Sequence, residues 1–144
     1  MKLSQAGIDL ITEFEGFEAK AYQDLGGVWT IGYGHTGKDV KPGMTWSKDT
    51  ALKQFKIDIA SREKQLTDRL ETVPTTQNQF DALLSLGYNI GMGALGRSEA
   101  LENHILGRHN AAAQAFMNWT KVNGKVVSGL VRRRTAERKL YEKR

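Results

Sequence analysis

The segment from Thr12 to His35, TEFEGFEAKAYQDLGGVWTIGYGH, leaves this chain the least conformational freedom. A helical spacing runs into it: Ile8 and Ile11 lie on one face, and Glu15 follows one turn later. Ser4 is placed to cap that helix and Gly16 to end it. Ala21-Tyr22-Gln23 then reads as a short strand that reverses at Gly26-Gly27, because paired glycines supply the positive φ of a tight turn. Val28 to Tyr33 returns. Alternation puts Val28, Thr30 and Gly32 on one face, and Trp29, Ile31 and Tyr33 on the other.

Three polar residues mark this helix–hairpin: Glu15, Asp24 and Thr30. Glu15 continues an apolar stripe at a helix C-terminus. Desolvation and the helix dipole both oppose ionisation there, which suits a general acid. It also reads as one of three ordinary surface acids, with Glu13 and Glu18. Asp24 sits at the corner of the turn, where aspartate commonly bonds its own backbone. Thr30 is equally a good strand former. Singly, none decides a function.

The rest of the chain sets bounds. Its 144 residues suffice for one compact domain or two small lobes sharing a core. Without cysteine there is neither a disulfide framework nor a thiolate zinc site, and His35, His104 and His109 are scattered. No metal or other cofactor is expected. The N-terminus lacks the apolar core of a signal peptide, and no apolar run approaches the ~18 residues of a membrane span. These features point to a soluble chain without stable membrane insertion. Residues 1–96 carry ten Lys/Arg against twelve Asp/Glu, and residues 97–144 carry eleven against four. The basic C-terminal helix suits an anionic wall or lipid surface, or is a solvated face. No nucleic-acid-binding pattern is visible.

After a loop at Asp39–Met44, Thr45 or Ser47 caps a long helix with Leu52, Phe55, Ile59 and Leu66 inward, broken at Thr72-Val73-Pro74. Thr76 and Gln79 form a capping box before Phe80, Leu83 and Leu84. Asn89–Gly96 is loop or broken helix, and Ser98 caps a short helix with Leu101 and Ile105 inward. Asn110–Trp119 is helical, Asn123-Gly124 a turn, and Val131–Tyr141 a last basic helix. Roughly seven helices and one early antiparallel sheet make the class α+β.

The spaced set Glu-x8-Asp-x5-Thr, joined to Thr-Ile-Gly-Tyr-Gly-His at Thr30–His35, resembles the catalytic signature of phage-type lysozymes (endolysins), glycoside hydrolase family 24. Gly129-Leu130-x-x-Arg133-Arg134-x-x-Glu137 resembles a second segment of that family. The resemblance implies a single lysozyme-like catalytic domain: a β-containing lobe at about 15–60, a long connecting helix, a helical lobe at about 1–14 and 61–144, and a cleft between them. It implies an endolysin muramidase that hydrolyses the β-1,4 linkage between N-acetylmuramic acid and N-acetylglucosamine and lyses a bacterial host, generally with inversion. The chain would be made in the host cytoplasm, act on the wall after another protein opens the membrane, and work as a monomer. Glu15, Asp24 and Thr30 are then catalytic. Tyr22, Tyr33 and Ser98 would contact the glycan strand, and His35, Arg133 and Arg134 would support the site, an arginine pairing with Glu15. Trp29 and Trp119 read as core. Alternatives are a lytic transglycosylase, a non-catalytic wall-binding phage protein, and membrane disruption by a C-terminal helix carrying Val131, Leu140 and Tyr141.

Overall fold

The computed structural model describes residues 1–144. Seven α-helices are present: α1 Gln5–Glu15, α2 Lys48–Leu70, α3 Gln77–Ile90, α4 Met92–Gly96, α5 Glu99–Ile105, α6 His109–Ala115 and α7 Ser128–Glu142. Strands β1 Glu18–Gln23, β2 Trp29–Gly32 and β3 His35–Thr36 form an antiparallel sheet in the order β1-β2-β3. A second, two-stranded sheet pairs β4 Lys121–Val122 with β5 Lys125–Val126. The fold is α+β, with two sheets where the sequence suggested one. The chain resolves into two compact units: a β unit, Thr12–Ser61, and a helical unit, Met1–Ile11 with Arg62–Arg144.

Local chemistry sets the helix ends. Ser4 caps α1, its hydroxyl accepting from Gly7 N at 3.3 Å while donating to the buried Asp81 carboxylate. Asp81 also accepts from Ser4 N at 3.2 Å and Gln77 Nε2 at 2.8 Å. A Cβ on Gly7 would meet Asp81 Cγ at 2.7 Å, so only glycine lets α1 approach this group. Ser47, not Thr45, caps α2 by accepting from Thr50 N. At α3, Thr76 Oγ1 accepts from Gln79 N at 3.1 Å and Gln79 Oε1 accepts from Thr76 N at 2.9 Å, a complete capping box.

The core of the helical unit forms around α3, which is buried on every side from Gln79 to Gly87 and takes α7 along its length. Phe80, Leu83, Leu84, Leu95, Leu101 and Phe116 fill it. Ile105, expected inward, is 40% exposed, because the buried face of α5 runs through Ala100, Leu101 and His104 instead.

Two buried polar clusters pin this core. Glu137 is fully buried and accepts from Ser85 Oγ at 2.5 Å and Arg133 Nε at 3.2 Å; Arg134 Nε lies 2.7 Å from its other oxygen. Burial pushes the Glu137 carboxyl up, while Arg134, Ser85 and Arg133 pull it the other way. Arg134 also donates to Asn89 Oδ1 at 2.9 Å and Arg133 to Ser85 O at 3.2 Å. Both arginines are thus internal groups, and α7 offers fewer cations to a surface than its sequence suggests. Tyr141 is buried as well, which removes it from the apolar face required by the membrane-disruption alternative.

The second cluster centres on His104, also fully buried. Its Nε2 lies 2.9 Å from Thr75 Oγ1 and its Nδ1 2.7 Å from Tyr141 Oη. Thr75 donates its own proton to Val73 O at 3.1 Å, so it accepts from His104 Nε2–H, which leaves Nδ1 to accept from the tyrosine. Every member is satisfied only while the imidazole is neutral. Burial, then the nearby His109, push His104 down to about 4, and burial pushes Tyr141 up to about 12.

Removing Glu137 strands two buried guanidinium groups. Glu137→Ala should cost about 3–5 kcal/mol in denaturant unfolding; a loss below about 1 kcal/mol contradicts this placement. His104 has a folded pKa below its ordinary 6.5, so its contribution is complete above that value and is lost as pH falls toward about 4. That loss is at most about 3 kcal/mol. A Tm–pH curve for His104→Gln should be flatter across this window than that of the unmodified chain, and parallel curves contradict the neutral assignment.

Candidate active site

All three residues of the spaced set lie in the β unit. Glu15 is the last residue of α1 and is half-buried. Gly16 adopts φ +73°, and its N–H bonds Thr12 O at 3.0 Å, so the chain leaves the helix directly after the carboxylate.

Asp24 closes the β1–β2 hairpin. Its Oδ1 accepts from Gly26 N at 2.8 Å and Val28 N at 2.9 Å, and its backbone N–H bonds Val28 O at 2.9 Å. Asp24 is therefore a turn-former, and the geometry leaves its second oxygen, Oδ2, uncommitted at an exposed corner. Thr30, on β2, is 5% exposed. Its hydroxyl donates to Val28 O at 3.0 Å, which leaves the oxygen free only to accept.

Tyr22 ties these groups together. It pairs with Thr30 across the β1–β2 ladder, and cross-strand partners share a face of the sheet. The residue is 40% exposed. Partial burial raises the phenol pKa, and the charges of Glu18, Glu15 and Asp24 raise it further. One side chain thus feels the helix-end acid and the turn acid while standing opposite Thr30. No register is legible from the sequence alone; pairing Gln23 with Trp29 across the turn is what sets Tyr22 against Thr30.

Aromatic packing holds the hairpin. The Tyr33 ring lies 5.7 Å from Phe17 and 6.3 Å from Phe55 of α2. Half-buried in this cluster, Tyr33 serves packing more than Tyr22 does. Gly32 has φ +69°, and a Cβ there would meet Ala51 Cβ and the Trp46 ring at 3.1 Å, so the glycine in Thr-Ile-Gly-Tyr-Gly-His is a close-approach position. His35, on β3, sits between two acids: Nδ1 is 2.7 Å from Asp58 Oδ2 on α2 and Nε2 is 3.0 Å from Asp39 Oδ2. Its ring also packs 5.4 Å from Trp46. Asp39 is legible at four residues from His35; Asp58 becomes visible only when α2 packs on the sheet.

Three of the expected positions belong to the helical unit. Ser98 is 2% exposed, its hydroxyl donating to Leu95 O at 2.7 Å and accepting from Leu101 N at 3.1 Å. It caps α5 and has no group to offer a glycan, which corrects the expectation of a substrate contact. Arg133 and Arg134 belong to the helical unit, bonded to Glu137 as described.

The phage lysozyme family matches residues 12–137, which include every residue of this arrangement. The chain belongs to that family. It is 41% identical over 145 residues to an endolysin of Salmonella phage P22, with 98% of each chain covered. An endolysin of Bacillus phage B103 is 45% identical over 143 residues. The match covers 98% of this chain but 54% of that relative, so the chain spans about half the length of some curated phage lysozyme relatives. Among solved structures, the muramidase domain of SpmX from Asticaccaulis excentricus superposes with a TM-score of 0.92 at 39% identity, covering 99% of both chains.

The His35 clamp gives this chain a pH signature. Burial alone would push the imidazole down. The hydrogen bonds to Asp39 and Asp58, with their charges, outweigh it and hold His35 above its ordinary 6.5; its hydrogen bond holds Asp39 below the usual carboxylate range. A raised folded pKa contributes stability that is full below 6.5 and lost as pH climbs through the folded value. The Tm deficit of His35→Asn should therefore be largest near pH 5–6 and shrink toward pH 9, roughly. A deficit that grows with pH contradicts a charged clamp.

Proposed function

We propose that this chain is a muramidase that hydrolyses the β-1,4 linkage between N-acetylmuramic acid and N-acetylglucosamine in peptidoglycan. The observation that carries the reading is the convergence of Glu15, Asp24 and Thr30 about Tyr22. The relatives named endolysin and the domain named muramidase supply the substrate class.

Glu15 acts as the acid. Its proton goes to the glycosidic oxygen as the bond to the anomeric carbon breaks. The incoming water is held from the other side. Asp24 Oδ2 is an acceptor, and Thr30, its own proton committed to Val28 O, can only accept as well. A water bonded to both gives them its two hydrogens and turns its lone pairs to the sugar carbon. One of those protons passes to Asp24, the remaining hydroxyl joins the carbon, and the configuration inverts. That geometry calls for carboxyl groups roughly 6.5–9.5 Å apart. Tyr22, kept protonated among acids, offers an O–H to the sugar, and Tyr33 shapes the floor beside it.

Turbidity loss of purified cell walls tests this. Glu15→Gln and Asp24→Asn should each lower the rate by roughly 10²–10⁴-fold, the usual weight of a positioned acid or base. The amide oxygen introduced by Asp24→Asn can still accept from the turn amides, so the fold should survive. Thr30→Val, which keeps the shape and removes the acceptor, should also lose activity. New reducing ends are the expected product. Anhydro-sugar ends together with an Asp24→Asn rate near the unmodified one would instead identify a single-acid transglycosylase.

A further inference from the structure

The helical unit holds an open cavity of about 810 Å³ that none of the residues proposed for hydrolysis lines. Gln79 from the start of α3, His109 and Asn110 from α6, and Tyr141 to Arg144 at the end of α7 lie around it. Most of its acceptors are committed. Thr75 bonds His104, Tyr141 bonds His104, and the one acidic side chain, Glu142, pairs with Arg138 at 3.3 Å.

Its donors are not. Gln79 is 8% exposed, and its amide orientation is fixed because Oε1 accepts from Thr76 N at 2.9 Å. That leaves Nε2, with two N–H groups and no protein partner, as the part of this residue that solvent reaches beside the cavity. The Asn110 amide is likewise uncommitted, as are the Thr76 hydroxyl proton and the cations of Lys143 and Arg144 at the rim. The His109 ring, stacked 5.5 Å over buried His104 and edge-on to Tyr141, provides a fixed flat wall. Asn78 Nδ2 donates to Lys143 O at 3.2 Å and so ties the cationic end of α7 to α3.

We infer that this cavity binds an oxyanion, carboxylate or phosphate, carried on a sugar or polyol: Gln79 Nε2, Asn110 and Lys143 supply the donors and His109 the platform for the ring. The site is separate from the hydrolytic reading and stands or falls without it. Carboxylate and phosphate share this chemistry, and the two probes below distinguish them.

The test follows the side-chain amide NMR signals of Gln79 and Asn110 in the full chain carrying Glu15→Gln, so that turnover plays no part. N-acetylmuramic acid, inorganic phosphate and neutral N-acetylglucosamine are titrated separately. Saturable shifts are expected with the muramic acid, the phosphate or both, and none with N-acetylglucosamine; the responding anion identifies the source. Added Gln79→Glu should weaken binding at least tenfold. A glutamate keeps the capping-box acceptor and favours a helix N-terminus, so Tm should hold. Absence of shifts with both anions, equal shifts with the neutral sugar, or undiminished binding by Gln79→Glu would overturn the site.

Discussion

The arrangement rests on how Asp24 divides its two oxygens. One accepts from the amides of Gly26 and Val28 and closes the hairpin; the other stays uncommitted. The bonds that shape the turn also fix the carboxylate in space. A nearby repetition of the same economy occurs at Thr30, where donation to Val28 O leaves only accepting capacity. Two side chains, both bonded to Val28, are thereby turned into acceptors, the kind of pair that can orient a water without competing for its lone pairs.

Much of this was legible in the sequence because it is local. The Ser4, Thr76–Gln79 and Ser98 caps, the Gly26-Gly27 reversal and the Asn123-Gly124 turn follow from side chains within four residues of the backbone they serve. The expected family follows from the spaced set and the α+β class from the run of helices and strands, and both are matched by the relatives and the fold. What stayed hidden depends on distant partners or very short elements. β3, β4 and β5 have two residues each, too few to show alternation. Arg133 and Arg134 read as support for the site, one of them pairing with Glu15, with nothing to mark Glu137 as their partner. Their burial depends on Glu137 on the same helix and on Ser85, 52 residues from Glu137. Ser98 was assigned to the glycan because the family pattern marks it, although its capping role explains its presence.

The histidines show how burial and partners set opposite behaviour. His35, between Asp58 and Asp39, gains from carrying charge; His104, between a phenol and a threonine, is satisfied only without it. Each unit thus has its own titrating group, and the two lose stability in opposite directions of pH. Glu137 and its arginines add a third buried polar centre, where the loss of one partner would leave the others' charge buried and unpaired.

The central claim is that a water, held by Asp24 and Thr30, attacks the sugar carbon from the side opposite the Glu15 proton. The anomeric form of the first product measures this directly, by proton NMR of short cell-wall oligosaccharides before mutarotation. Inversion of a β-linkage should give the α-anomer first. Initial appearance of the β-anomer would mean that Asp24 attacks carbon itself, and the account of two accepting side chains would be wrong.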